Sequence, residues 1–101
     1  MEIKYSNLMA KNLKDERTIK RIYGQLYDKI IHSLSILFLV DNLSLVPDTP
    51  PTKRHKLEGN YNGMFAISLS VNYRMIINPL NGDNNLKSIT SIEIVDIIDY
   101  H

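Results

Sequence analysis

The sequence predicts a small α+β domain, and three observations carry that prediction. Apolar residues recur every three or four positions from Ile19 to Leu37, the spacing of one helix face. Beyond Pro47 to Pro51 the period changes to two, as in half-buried strands. The chain has 101 residues, room for one core, so a single domain spans 1–101. The order is an N-terminal strand, a helical hairpin, then an antiparallel sheet on which the hairpin packs.

Met1 to Tyr5 reads as the opening strand, with Ile3 and Tyr5 on one face and Lys4 on the other. Asn12 offers a helix N-cap, with Asp15 and Glu16 in the turn that follows. Ile19, Ile22, Tyr23, Leu26, Ile30, Leu34 and Leu37 then form one stripe along helix from about Leu13 to Asp41. Gly24 interrupts the stripe and can act as a C-cap that splits it into two helices. Asn42 and the proline-rich stretch Pro47–Pro51 end the helical half as a stiff connector.

Lys56-Leu57-Glu58 is a short strand candidate, and Asn60-Tyr61-Asn62-Gly63 a hairpin turn. Phe65, Ile67, Leu69 and Val71 alternate with Ala66, Ser68, Ser70 and Asn72, which predicts one core face and one polar face. Asn72 starts a tight turn into the strand Tyr73-Arg74-Met75-Ile76-Ile77, and Asn78 to Asn85 is a loop. Leu86 to Tyr100 is the final strand. Its alternation slips at Ile94-Val95 and again at Ile97-Ile98, the mark of a bulge or of burial on both faces.

Composition excludes several function classes. There is no cysteine, hence no disulfide framework, thiolate metal site or cysteine nucleophile. The N-terminus lacks a charged-then-apolar signal pattern, and the longest apolar run, Ile36 to Val40, is too short for a bilayer. The expected setting is the cytoplasm, without a membrane partner. No phosphate-binding glycine loop, nucleophile elbow or metal-ligand spacing occurs, so neither a metal nor another cofactor is expected.

The net charge is only +1, but its distribution is uneven. Lys53, Arg54 and Lys56 cluster mid-chain, and Asp83, Glu93, Asp96 and Asp99 load the C-terminal part with acid. A basic cluster near proton-transfer groups fits an anion such as a phosphodiester. His55 sits between Arg54 and Lys56, where cationic neighbours disfavour metal binding. Arg74, held on a strand and facing with Ile76, fits either a fork for phosphate or an interstrand ion pair with Glu58, Glu93 or Asp99. The chain closes on Asp99-Tyr100-His101; in a continuing strand Asp99 and His101 share a face and Tyr100 takes the other. His101 can serve as acid or base near neutral pH. Tyr61, at a hairpin tip, can stack on a base. His32 has no partner at useful spacing and reads as an ordinary helix residue.

Several segments together resemble a known family. They are Arg54-His55-Lys56-Leu57-Glu58-Gly59, Gly63-Met64-Phe65-Ala66-Ile67, Asn72-Tyr73-Arg74-Met75-Ile76-Ile77-Asn78-Pro79 and the closing Ile92 to His101. In this order, with Asp15-Glu16-Arg17, Tyr23-Gly24 and Asp41-Asn42-Leu43 ahead of them, they resemble the HigB (plasmid-maintenance "killer") toxins of the RelE/ParE superfamily. The resemblance implies a RelE/ParE-like, microbial-ribonuclease-like fold. It also implies metal-free cleavage of mRNA in the ribosomal A site, and neutralisation by a HigA-like helix-turn-helix antitoxin through which alone operator DNA is bound. Carried over, His101 matches the family's terminal catalytic histidine, with Asp99 and Tyr100 as companions. His55 matches a histidine ahead of a Leu-x-Gly segment, and Arg74 a phosphate-clamping arginine; Lys56, Arg54, Lys53 and Tyr61 are the RNA-binding candidates. Glu58 departs from the pattern, standing where many relatives carry a basic or neutral residue. Two readings stay open beside this one: a ParE-like chain that poisons DNA gyrase, and an inactive relative that only binds antitoxin and operator DNA.

Overall fold

A computed structural model describes residues 1–99. Its elements run β1 (Glu2–Tyr5), α1 (Asn7–Asn12), α2 (Glu16–Tyr23), α3 (Tyr27–Leu39), β2 (His55–Lys56), β3 (Phe65–Ser68), β4 (Tyr73–Pro79) and β5 (Ser91–Asp99). The five strands form one sheet in the order β1-β5-β4-β3-β2. From β2 to β5 neighbours are antiparallel, the expected meander, whereas β1 joins β5 in parallel. The sheet is therefore mixed. Parallel partners need a long crossover, and here the helices and the meander lie between β1 and β5.

The expected hairpin is present as α2 and α3, and a short helix, α1, precedes it. Ser6 caps α1, its hydroxyl accepting from the Met9 N–H and donating to the Val95 carbonyl. Asp15, not Asn12, is the N-cap of α2; its carboxylate accepts from the Thr18 N–H at 2.7 Å. Hydrogen bonds from Thr18 hold this carboxyl below the usual range. Asn12 instead ends α1, where its amide donates to the Tyr23 hydroxyl at 3.1 Å. Burial pushes the Tyr23 phenol upward despite that bond. Gly24, at φ +54°, closes α2 as expected, and a 3₁₀ turn at Gly24–Leu26 re-aims the chain into α3. The Met1 amino group donates to the carbonyls of Leu37, Phe38 and Val40, tying β1 to the C-terminal end of α3.

The helices cover one face of the sheet. Met9, Ile19, Ile30 and Leu37 pack there with Phe65, Ile67, Met75, Ile77, Ile92 and Ile94 in one cluster. Leu43 and Val46 close its end from the connector, where a 3₁₀ turn at Leu43–Leu45 follows Asn42. Ile22, on the same helix as the buried Ile19, falls outside this core and is exposed. Val71 is 88% exposed, against the expected core placement. Alternation stops where β3 ends at Ser68: Leu69 N–H already turns to the Tyr73 carbonyl, and Val71 rides on that turn.

The bulge in the last strand is present. Ile77 pairs with Ile94 but Ile76 pairs with Asp96, so Val95 is the extra residue. Beyond it the parity of β5 reverses. Ile97 now packs on the core, and Ile98 lies on the opposite face. The strand is shorter than expected at its start, since Leu86–Ser88 forms a 3₁₀ turn. Gly82 leads into that turn at φ +80°, and a Cβ there would stand 2.7 Å from the Ser88 carbonyl oxygen. Gly82→Ala should therefore destabilise by about 1–3 kcal/mol, read as a fall in Tm.

Candidate active site

The helix-free face of the sheet carries the candidate chemistry. In a ladder, paired residues share a face. His55 pairs with Ala66, Ala66 with Ile76, Ser68 with Arg74, and Arg74 with Ile98. All of these point away from the helices. Ala66 and Ile76 are nonetheless buried, because the segment 55–61 folds over them. The result is a concavity of about 360 Å³. Ala66, Ile76 and Ile98 form its apolar floor, and His55, Lys56, Glu58, Tyr61 and Arg74 line its walls.

Local structure explains why those walls stand. β2 is only two residues long, His55–Lys56, one position earlier than expected. The chain then leaves the sheet through a 3₁₀ turn at Gly59–Tyr61 and returns through Gly63 at φ +88°. That positive φ is what the Asn62-Gly63 pair supplies. The turn is bonded across Gly59 to Asn62 and Tyr61 to Met64, and it sets Tyr61, half-buried, at the rim.

His55 is exposed, and its Nδ1 lies 3.0 Å from the Lys53 carbonyl. A carbonyl only accepts, so Nδ1 donates in this contact and Nε2 is the ring nitrogen left for other partners. Arg74 is half-buried. Its Nη1 donates to the carbonyls of Ser70 at 2.9 Å, Tyr73 at 3.2 Å and Val71 at 3.3 Å. These bonds tie the guanidinium to the β3–β4 turn, and Arg74 also lines the concavity. His55 and Arg74 lie two strands and one two-residue step apart, about 12 Å between Cα atoms, so long side chains converge across the floor.

Four sequence-predicted residues thus share one cavity: His55, Lys56, Tyr61 and Arg74. Three others stand apart. The Arg54 side chain is 11% exposed; its Nη1 donates to the Leu43 carbonyl at 2.8 Å and its Nη2 lies 3.7 Å from Asp48. It holds the connector to β2 rather than lining the concavity. Lys53 occupies a turn at φ +50° with its side chain exposed outside the cavity. Asp99 pairs with Tyr73, which packs toward the helices, so it lies on the face opposite His55 and Arg74. The bulge at Val95 causes this reversal. Tyr100 and His101 lie outside the described residues.

The sequence reading missed the apolar floor and the place of Glu58. Ile98 belonged to the slip at Ile97-Ile98, and burial on both faces was the signal that one isoleucine serves the site. Glu58 supplies a second group, beside the His55 imidazole, that can accept a proton in the cavity. Among the described residues no cluster of three metal-ligating side chains occurs. None of the described helices is long and apolar enough to cross a membrane.

Solved structures share this fold. A YafQ variant from E. coli superposes with a TM-score of 0.64 at 17% identity, over 97% of this chain and 91% of that one. A YoeB/ParE toxin from Agrobacterium tumefaciens gives 0.61 at 13% identity, over 100% and 99%. YoeB in complex with YefM from Staphylococcus aureus gives 0.57 at 19% identity, over 100% and 97%. YafQ also occurs in a DinJ–YafQ toxin–antitoxin complex, matched at 0.62 and 15% identity over 97% and 90%. No protein-family model and no curated protein matches the sequence. The α+β fold of the chain is the one these toxins carry.

Proposed function

We propose that this protein is the toxin of a toxin–antitoxin pair and cleaves mRNA in the ribosomal A site without a metal, as its sequence resemblance to HigB toxins implies. One observation carries the reading. An imidazole, an ammonium, a guanidinium, a phenol ring and the Glu58 carboxylate surround an apolar floor on the helix-free face of the sheet. That set fits a nucleotide: cations for the phosphate, and a ring with an apolar floor for the base. The shared fold with YafQ and YoeB toxins supports the toxin assignment. A HigA-like antitoxin is the proposed neutralising partner.

In the proposed reaction the 2′-hydroxyl attacks the adjacent phosphorus, and the P–O5′ bond breaks. One group takes the hydroxyl proton and another protonates the leaving 5′ oxygen. His55 fills one of these roles through Nε2, and His101 the other by the resemblance. Arg74 and Lys56 stabilise the charge that builds on the phosphorane oxygens. Asp99 takes no part at His55. The products carry a 2′,3′-cyclic phosphate and a 5′-hydroxyl.

The test is purified protein added to translating ribosomes, with RNA 5′ ends mapped. New 5′-hydroxyl ends inside codons are expected. Arg74→Lys should cut the rate at least about ten-fold, because an ammonium cannot both hold the turn and fork a phosphate. Intact mRNA with lost gyrase supercoiling would mark a ParE-like poison. Intact mRNA with active gyrase would mark an inactive antitoxin-binding relative. Either result overturns the proposal.

A further inference from the structure

β1 is the edge strand of the sheet, and among the described residues no strand lies on its outer side. Its inner bonds go to β5: Glu2 N–H donates to the Thr90 carbonyl and Ser6 N–H to the Ile94 carbonyl, both at 3.0 Å. In a parallel ladder the alternate residues bond outward. The main-chain groups of Ile3 and Tyr5 therefore face the open edge. Beside that edge runs an apolar groove of about 570 Å³ between β1 and α3, lined by Ile3, Tyr5, Ile31, Leu34 and Phe38. Phe38 is 70% exposed, and the adjoining Leu39 77%. Exposed edges and large apolar side chains are usually covered or blunted.

We infer that a second copy of this chain covers this edge, pairing β1 with β1 antiparallel about a twofold axis at Ile3. The charge pattern of the strand selects this occupant. Glu2 and Lys4 flank Ile3, and their side chains are 65% and 66% exposed. With Ile3 opposite Ile3 of the second copy, each Glu2 faces a Lys4, twice per interface. A shift of two residues one way sets Lys4 against Lys4; a shift the other way sets Glu2 against Glu2. A shift of one turns the apolar face outward. Within one chain Lys4 Nζ lies 3.8 Å from Glu2 Oε1, and only the Ile3-centred register adds opposite charges across the axis without setting like charges together; it is self-complementary, as a twofold interface requires. In that register Ile3 and Ile3 exchange two main-chain hydrogen bonds, while Glu2 and Lys4 occupy the closer, non-bonded pair positions. The grooves of the two copies meet across the axis, and Phe38 of each copy is covered by the other. The helix-free concavity at β2–β4 lies at the far end of the sheet and stays open. This inference stands apart from the proposed RNA chemistry.

Sedimentation velocity over a concentration series tests it, using the whole chain. The unmodified protein is expected to sediment as a dimer at micromolar concentration. Glu2→Lys and Lys4→Glu each place two like-charge pairs at the axis and should raise the dimer Kd about ten-fold or more. The double variant carrying both changes restores opposite charges and should return the Kd to near the starting value. Phe38→Ser should weaken the dimer with no loss of fold, since Phe38 lies outside the core. A protein that stays monomeric up to about 100 μM overturns the inference, and so does a dimer indifferent to the single charge reversals. A double variant no tighter than the singles does the same.

Discussion

His55→Ala is expected to lower mRNA cleavage about 100-fold or more while leaving the melting temperature unchanged. Loss of a positioned proton-transfer group costs roughly 10²- to 10⁴-fold. The second half of the expectation follows from burial. His55 is exposed, sits on a two-residue edge strand and makes a side-chain hydrogen bond to the Lys53 carbonyl. Exposed substitutions of this kind stay within about 0.5 kcal/mol. Rate and Tm therefore separate at this position, as they would not at Arg74, which also closes the β3–β4 turn. Single-turnover cleavage on translating ribosomes, with a thermal melt of the same sample, checks both. An unchanged rate removes His55 from the chemistry.

Ile94→Ala should cost about 2–5 kcal/mol, the largest stability effect expected of a single truncation in the sheet. Ile94 is fully buried and lies on β5 between β1 and β4. It packs in the one cluster that unites helices and sheet. The next residue is the bulged Val95, so the strand is already released there from regular pairing. A cavity beside it meets a stretch of backbone fixed by Ser6, whose hydroxyl bonds to the Val95 carbonyl. Against a total stability of roughly 5–15 kcal/mol, this loss lowers the Tm by more than about 10 °C. Val71→Ala, at a fully solvated turn, serves as the control and should leave the Tm in place.

Local signals were legible where the physics is local. Gly24 and the Asn62-Gly63 pair need positive φ, and both positions have it at the glycine. The alternation of Phe65, Ile67 and Leu69 reports burial on one face, and all three are buried. The slip at Ile94-Val95 reports the bulge. The reading failed where two acceptable local choices compete. Asn12 and Asp15 are both good caps, and the choice fell to Asp15 because α1 already occupies the residues up to Asn12. Val71 continued an alternation that the chain abandons at a hairpin.

The candidate site was legible in its residue types and not in its membership. His55, Lys56 and Arg74 carry the functional groups that bind and cleave a phosphodiester, and Tyr61 offers a stacking ring. Charge clustering along the chain also drew in Arg54, which folding assigns to the Leu43 carbonyl and Asp48.

The sequence by itself determined the α+β class, the change of period at the proline-rich connector, the bulge and the presence of a basic, imidazole-bearing face. Each follows from the spacing of neighbours within one segment. Only the tertiary structure decided which groups meet. Pairing across strands brought His55 over Ala66 and Arg74 beside Ile98. One extra residue at Val95 turned Asp99 to the helix side. The physical reason is that alternation fixes faces only relative to a strand's own residues, whereas non-local pairing and a bulge set which face of one strand matches which face of the next.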